Sequence, residues 1–463
     1  MLRLGLFGVV WLGCQTVPAP PPTAPAAPAV TGQLALAPGA EVAATRGVLV
    51  VTWLTADEKQ AFDAGKLTPT LGRSMVTRGA VIGEVDVAHP VGFAVHPPRG
   101  RVALLATLDV SHAGLPSLLG GGDGTLTGAS AVFEVAGETV VAPPIALAPA
   151  PHRALPERCT GAGLTLERVD APDVAGTVGN PTSRRACVRV PAGYAEHPER
   201  HYPVLYALPG LFSTDAAVIA SYHLEPADMI VVAVDTSTRT GSTYLVDSAT
   251  SGRWDTFFTR GLIPHIDAHY RTLARRDGRA IAGHSTGGFN AVSYGLRHPE
   301  LIGVIAASSP DGLDFSVWLN DNGAPRAWVR EFQRVEHGLG GAGQFISYAA
   351  DWSPTASGYD WPFDASGAVV DRVLQRWLAN SPSAWLRDPA RVATLKPFSG
   401  YIYLTVGETD EFDLRAPTVA FSQQLTAAGI ANQLVVTPGG HGTHVEHMAE
   451  ILKFCATKLA PAQ

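Results

Sequence analysis

Short apolar runs alternate with longer amphipathic segments from about residue 160 to residue 460. The runs have the length and bounding turns of strands, and the segments between them have helical spacing. The predicted strands are Ala186–Val190, Pro203–Leu208, Ile230–Asp235, Arg279–Gly283, Val304–Ala307, Tyr401–Val406 and Asn432–Thr437. The predicted helices are Trp254–Tyr270, Thr286–Arg297, Ala416–Ala428 and Thr443–Leu459. Buried strands that alternate with helices predict an α/β domain with a mainly parallel sheet covered on both faces.

A different pattern extends from about Gln33 to Ala150. Short β-branched and apolar runs are separated there by turns rich in Gly and Pro. The runs are Gly47–Trp53, Val81–Val87, Arg101–Val110 and Ala131–Val135. Repeated short strands with turn signals predict a small all-β sandwich domain over residues 33–150. We expect it to pack beside the next domain; binding of a partner or a carbohydrate is the alternative.

The N-terminal 32 residues have the features of an export signal and a spacer. Residues 1–14 contain the apolar run Leu4–Leu12, which is too short to span a bilayer and is typical of a secretory signal. The segment that ends at Cys14 is similar to a bacterial lipobox, in which this cysteine is acylated, although Trp11 replaces the usual Leu. An ordinary signal peptide is the alternative. Residues 15–32 are mainly Pro, Ala and Thr and predict an extended linker.

This signal predicts an exported protein, periplasmic or at the cell surface, whose membrane contact is limited to the lipid anchor. Export places the remaining cysteines in an oxidising compartment. Cys159 and Cys187 flank a short loop-rich stretch and are candidates for a disulfide, although spacing alone does not fix connectivity. Cys455 lies in a helical pattern near the C-terminus and is interpreted as a buried thiol.

Composition limits the classes of protein that the chain can belong to. Hydrophobic residues make up 46% and charged residues 16% of the 463 residues, which excludes a disordered chain. The formal net charge is −7, and no basic stripe is present, so we expect no nucleic-acid partner.

The candidate nucleophile is Ser285, in the sequence Gly283-His284-Ser285-Thr286-Gly287. A predicted strand precedes this G-x-S-x-G pattern and a predicted helix follows it. A tight strand-to-helix turn lifts a serine hydroxyl above the edge of a sheet, and larger side chains at the two glycine positions would collide around that turn. A glycine-rich loop with an incidental serine is the alternative.

An acid and a base follow the serine in the order that this arrangement uses. Asp410 comes directly after the predicted strand that ends at Val406, with Glu408 and Asp413 as rivals for the same role. His441 lies in the loop after the last predicted strand, where a general base is expected.

Two further histidines, His444 and His447, begin the last helix. We interpret them as surface or supporting residues. A metal site shared with His441 is the alternative, but neither H-E-x-x-H nor H-x-x-E-H is present, so we expect no metal and no cofactor.

Two backbone amides are expected to bind the oxyanion of a tetrahedral intermediate. One is the amide of Thr286, directly after the nucleophile. The other comes from the loop after the strand Pro203–Leu208, where Leu211 and Phe212 are the candidates.

Several stretches together resemble the branch of α/β-hydrolases that includes esterase D, feruloyl esterases, enterochelin esterases and mycolyltransferases. They are VRVPAGY (188–194), YPVLYALPG (202–210), GLIPHIDAHYRT (261–272), AIAGHSTGGFNAVSYGLRHPELIGVIAASSP (280–310) and PGGHGTH (438–444). The resemblance implies the α/β-hydrolase fold and a triad of Ser285, Asp410 and His441. It has two departures: Pro209-Gly210 replaces the usual His-Gly, and Gly442-Thr443 follows the catalytic histidine.

An insertion over residues 310–400 carries six of the nine tryptophans. They are Trp318, Trp328, Trp352, Trp361, Trp377 and Trp385. Aromatic residues above the strand ends could form a cap and an apolar pocket, and the alternative is that they are the insertion's own core.

The sequence therefore predicts a serine esterase that hydrolyses carboxylic esters of a small molecule or carbohydrate through an acyl-enzyme. An acyltransferase that uses the same triad with an alcohol acceptor is the first alternative. A non-catalytic binding protein on a hydrolase scaffold is the second.

Overall fold

A computed structural model describes residues 28–42, 44–66, 80–110, 125–150, 159–177, 180–211, 213–222, 228–238, 240–315, 343–356, 358–362 and 369–463. The predicted signal segment, Cys14 and most of the predicted linker lie outside these residues, as do Phe212, Trp318 and Trp328. The linker prediction is wrong at its end, because a strand begins at Ala29. Val30 and Leu34 alternate into the core of the first domain, which draws this segment into the sheet.

The first domain is all-β, as predicted, in the part that the structure describes. Its nine strands are β1 (Ala29–Leu36), β2 (Arg46–Leu54), β3 (Ala80–Asp86), β4 (Val91–Val95), β5 (Gly100–Asp109), β6 (Thr125–Ala129), β7 (Phe133–Val135), β8 (Thr139–Val141) and β9 (Ile145–Pro149). One short helix, α1 (Ala56–Asp63), follows β2.

Hydrogen bonds join these nine strands into one continuous arrangement. The order is β3-β2-β5-β6-β9-β1-β4, with β7 paired to β5 and β8 paired to β1. Strand β9 pairs with β6 on one side and with β1 on the other, and this double pairing joins the two halves. Alternate side chains such as Leu104 and Leu108 of β5 face one enclosed apolar core.

The second domain contains the predicted α/β sheet. Its main strands in the described residues are β10 (Leu164–Asp170), β11 (Ser183–Arg189), β12 (Val204–Leu208), β13 (Ile230–Val234), β18 (Arg279–His284), β19 (Val304–Ser308), β22 (Ile402–Gly407) and β23 (Gln433–Thr437). Two-residue strands form three hairpins: β14 (Ser237–Thr238) with β15 (Gly241–Ser242), β16 (Asp247–Ser248) with β17 (Gly252–Arg253), and β20 (Pro354–Thr355) with β21 (Gly358–Tyr359).

The main sheet has the order β10-β11-β13-β12-β18-β19-β22-β23. Strand β11 runs opposite to the other seven strands and pairs antiparallel with β10 and β13, whereas the pairs from β13 to β23 are parallel. The helices of the described residues are α2 (Asp215–Ser221), α3 (Trp254–Thr256), α4 (Ile263–His269), α5 (Thr286–Arg297), α6 (Gly343–Trp352), α7 (Asp371–Asn380), α8 (Pro382–Trp385), α9 (Pro389–Leu395), α10 (Arg415–Ala427) and α11 (His444–Lys458).

Helices cover both faces of this sheet, which confirms the predicted fold class. Successive side chains of a strand point to opposite faces, so neighbouring residues of one strand belong to different cores. Ile281 packs in the core that contains α5, whereas Ala280 and Ala282 pack in the core that contains α2 and α11. Alanines line much of the second core: Ala207, Ala233, Ala280, Ala282 and Ala306.

The predicted helix over residues 254–270 is interrupted. A π-helical segment, Phe257–Leu262, lies between α3 and α4. Pro264 has no amide hydrogen with which to continue the α-helical ladder at the start of α4, which favours a wider turn just before it. Among the helices within the described ranges, none combines the length and the apolar character that crossing a membrane requires.

Candidate active site

Ser285 occupies a strained turn between β18 and α5. Its backbone has φ 58° and ψ −123°, a conformation that is costly for a residue with a side chain. A Cβ at position 287 would lie 2.3 Å from the carbonyl oxygen of Leu208, and a Cβ at position 283 would lie 2.4 Å from the backbone of Gly287. Glycine at both positions is therefore what lets the turn pack against the end of β12.

Asp410 and His441 are in contact at the ends of the last two parallel strands. The Nδ1 atom of His441 is 2.9 Å from Oδ2 of Asp410, and the Asp410 side chain is fully shielded from solvent. The backbone amide of Phe412 donates to the other carboxylate oxygen at 3.0 Å, which fixes the carboxylate plane. The rival carboxylates, Glu408 and Asp413, are exposed.

The loop that carries His441 is fastened to the loop that carries Asp410. The amide of His441 donates to Oε2 of Glu411 at 2.8 Å, and the amide of Thr409 donates to the carbonyl of Gly439 at 3.0 Å. The imidazole lies between two rings, with its centroid 4.5 Å from that of His284 and 4.8 Å from that of Phe412. These contacts leave the ring a small range of orientations. Glu411 was not singled out from the sequence.

The ring contact with His284 places the imidazole of His441 beside the residue that precedes Ser285. In the described structure the hydrogen bond of Ser285 Oγ runs to Oδ1 of Asp311, at 3.4 Å, and not to His441. This separation is longer than the 2.5–3.0 Å typical of O–H···O bonds. Catalytic hydrogen bonds are often long or misaligned without substrate and tighten in the Michaelis complex.

The two predicted oxyanion donors come from the residue after Ser285 and from the turn after β12. The amide of Thr286 is the first of α5, and the first amides of a helix have no carbonyl partner within it. A Cβ at Gly210 would lie 3.4 Å from the Cβ of Ser285, so the turn after β12 reaches Ser285. Leu211 is half-buried in this turn. The other candidate, Phe212, is outside the described residues.

Asp311 is a buried carboxylate beside Ser285 that sequence reasoning missed. Its Oδ2 accepts hydrogen bonds from Thr286 Oγ1 at 2.7 Å and from the Tyr244 hydroxyl at 3.1 Å. Its amide donates to the carbonyl of Ser285 at 3.1 Å. The available signal was its position just past β19, because carboxyl ends of neighbouring parallel strands meet at one sheet edge.

Tyr244 is buried on the far side of Asp311. Burial raises the pKa of Tyr244 well above its usual value, and the nearby Tyr348 and the charge of Asp311 raise it further. The phenol therefore stays protonated and serves Asp311 as a hydrogen-bond donor.

A chain of polar side chains runs beneath His284 and His441. Ser308 Oγ is 3.2 Å from Nδ1 of His284 and 3.1 Å from Nδ1 of His447, and Nε2 of His447 contacts Thr437. His447 is buried, so it supports the site from below and does not lie at the surface. The side chain of His444 is outside the described residues. Over the described ranges, no group of three or more His, Cys, Asp or Glu side chains is arranged to hold a metal ion.

The tryptophans of the insertion that the structure describes pack as core. Trp352, Trp377 and Trp385 are buried in the core that contains α5, and Trp361 packs against its edge. The ring of Trp352 lies 5.0 Å from that of Tyr244. The insertion thus reaches the residue that binds Asp311, and Trp352, Trp377 and Trp385 are part of the buried core.

Cys159 and Cys187 form a disulfide in this structure. The bond ties the segment before β10 to β11. Cys455 is a buried free thiol, and burial raises its pKa to about 12, so it remains protonated.

Residues 180–447 match the family model described as "Putative esterase". Two curated esterases of Mycobacterium tuberculosis, from strains CDC 1551 / Oshkosh and ATCC 25618 / H37Rv, are 27% identical to the chain over 218 residues. The aligned region is 45% of this chain, and it spans only 40% of the length of these relatives.

Solved structures with a similar fold include a ferulic acid esterase, with a TM-score of 0.45 and 20% identity over 64% of this chain and 98% of that one. An S-formylglutathione hydrolase from Agrobacterium tumefaciens has a TM-score of 0.43 and 18% identity over 65% of this chain and 98% of that one. Because the family model covers more than half of the 463 residues, the chain belongs to the "Putative esterase" family.

Proposed function

We propose that this protein hydrolyses carboxylic esters through a covalent acyl-Ser285 intermediate. The observation that carries the proposal is the combination of a strained Ser285 with the 2.9 Å Asp410–His441 pair at the same edge of the sheet. A strained backbone conformation persists only where the surrounding structure enforces it, and such positions cluster at active sites.

In the proposed mechanism, Nε2 of His441 removes the hydroxyl proton of Ser285 as Oγ attacks the ester carbonyl carbon. The carbonyl oxygen becomes an oxyanion, which the amides of Thr286 and of the turn after β12 stabilise. When the intermediate collapses, the C–O bond to the alcohol breaks, and His441 donates its proton to the departing oxygen. Water, deprotonated by the same imidazole, then releases the carboxylic acid and restores Ser285.

Asp410 orients the imidazole in this scheme. Its carboxylate binds Nδ1, which leaves Nε2 free to face the hydroxyl, and its negative charge stabilises the imidazolium that forms. We propose a small-molecule or carbohydrate-linked ester as the substrate class, since the net charge of −7 disfavours polyanionic partners.

The proposal is tested with an activated ester, p-nitrophenyl acetate, and a fluorophosphonate probe. We expect Ser285→Ala to fold, to lose turnover and to escape labelling. The matched control is Ser293→Ala, a buried hydroxyl on the same helix whose contact is the backbone of Asn290. Equal turnover in the wild type and Ser285→Ala would exclude Ser285 as the nucleophile.

We further propose that the protein is exported and anchored through lipid on Cys14. The disulfide between Cys159 and Cys187 supports this proposal, because structural disulfides persist in oxidising compartments. Metabolic labelling with a fatty-acid analogue tests it: the wild type should take up label and Cys14→Ser should not. Label on neither protein would leave an ordinary signal peptide as the explanation of the N-terminal segment.

A further inference from the structure

Asp311 contacts both residues of the nucleophile turn. Its amide holds the carbonyl of Ser285, and its carboxylate holds the side chain of Thr286. On the other side, the amide of Ser285 donates to the carbonyl of Ser308 at 2.9 Å. The end of β19 and Asp311 just after it therefore hold the strained turn through two backbone hydrogen bonds and two hydrogen bonds to the Asp311 carboxylate.

The distances show which of the two contacts of the Asp311 carboxylate, with Thr286 or with Ser285, is stronger. Thr286 Oγ1 lies 2.7 Å from Asp311, within the range of charge-assisted O–H···O bonds, whereas Ser285 Oγ lies 3.4 Å away. The Ser285 contact is weak enough for the hydroxyl to turn toward a base. The Thr286 contact fixes the residue whose amide faces the developing oxyanion.

We propose that Asp311 is a positioning residue, which sets the orientation of the Thr286 amide in the oxyanion hole through the Thr286 hydroxyl. This inference rests on the proposed function and adds a residue to it. Three hydroxyl groups, from Ser285, Thr286 and Tyr244, surround the carboxylate. A negative charge next to the first turn of α5 also suits the positive end of the helix dipole.

The test uses variants that change one contact at a time in the full chain. Thr286→Val removes the hydroxyl but keeps the shape and the backbone amide, and Thr286→Ser keeps the hydroxyl. Asp311→Ala removes the acceptor. Asp314→Asn is the matched control, because Asp314 is also buried, lies three residues further on and accepts from Gln424 on α10.

We expect Thr286→Val and Asp311→Ala each to lower kcat by about ten- to a hundredfold, the effect of losing a hydrogen bond to a charged group. KM should stay within about twofold, because the oxyanion contact is made in the transition state. Thr286→Ser and Asp314→Asn should stay close to the wild type. The double variant should lose no more than the worse single variant, since both remove one interaction.

Two outcomes overturn the inference while leaving the proposed function in place. In one outcome, a fluorophosphonate labels Ser285 in the wild type, and the kcat values of Thr286→Val and Asp311→Ala equal the wild-type kcat. The other is fully additive loss of kcat in the double variant, or loss confined to KM. A wild type that neither labels nor turns over ester would overturn the proposed function and this inference together. If Asp311→Ala does not fold, the Thr286→Val and Thr286→Ser pair alone decides.

Discussion

The backbone amide of His441 donates a 2.8 Å hydrogen bond to the side chain of Glu411, the residue directly after Asp410. The short segment that contains Asp410 and Glu411 therefore binds His441 twice, once through the imidazole ring and once through the backbone amide. The contact of the ring with Asp410 determines which ring nitrogen carries the proton. The contact of the main chain with Glu411 fixes the position of the loop.

We predict that Glu411→Ala lowers kcat by about fivefold, because an exposed hydrogen bond to a backbone amide is worth about 1 kcal/mol. The acid itself stays in place, so the loss should be far smaller than that of Asp410→Asn. Glu408→Ala, an exposed carboxylate three residues earlier, is the control. Steady-state kinetics with p-nitrophenyl acetate measure both, and equal rates for the two variants would show that Glu411 does not hold the loop.

Gly287→Ala should disable the enzyme and destabilise it by about 1–3 kcal/mol, the usual cost of overpacking. The added methyl group would lie 2.3 Å from the backbone of Leu208, which cannot move without distorting β12. Gly442→Ala, in the loop after His441, is the control, since its methyl group would meet nothing within 4 Å. Urea unfolding and esterase assays test the pair. A stable, active Gly287→Ala would mean that the turn relaxes in solution.

Asp351 makes the stability of the second domain depend on pH. Burial raises the pKa of Asp351 to about 7, although hydrogen bonds from Ser251, the Tyr244 amide and Thr243 oppose the shift. The native state then binds a proton more tightly than the unfolded state does. Stability should therefore fall as pH rises from about 4 to about 7, by at most about 1.4 kcal/mol per pH unit.

We predict that Asp351→Asn removes this slope, so that the variant gains stability relative to the wild type as pH rises from about 4 to about 7. Urea unfolding followed by tryptophan fluorescence suits the measurement, because the buried Trp352 is the next residue. The exposed Asp170 provides the control variant, Asp170→Asn, which should keep the wild-type slope. Parallel slopes for the wild type and Asp351→Asn would contradict the prediction.

Buried strands were the easiest part of the fold to predict. The seven predicted strands of the second domain match observed strands to within a few residues, because a continuous apolar run leaves few other conformations. Strand β10 was missed because it is an edge strand with charged residues such as Glu167 and Arg168 in an alternating sequence. The strand order of the first domain was not predictable either, since the pairing of β9 with both β6 and β1 depends on register and not on local pattern.

For the site, the position of a residue relative to a strand end was the informative signal. Asp410 and His441 were identified from that position, and the structure brings their side chains together. Asp311 has the same relation to β19 but stands outside the expected order of serine, acid and histidine. The strain at Ser285 and the ring contacts of His441 depend on three-dimensional packing, which no spacing rule contains.

The alanine-lined face of the main sheet limits which substitutions the chain can tolerate. Helix α11 packs on β18 and β19 through this face and begins three residues after His441. A bulkier residue in place of Ala282 or Ala306 would displace α11 from the sheet and move His441 with it. We expect natural variants of the chain to keep small residues at these two positions. Larger residues there should inactivate the protein, although they lie far from any bound ester.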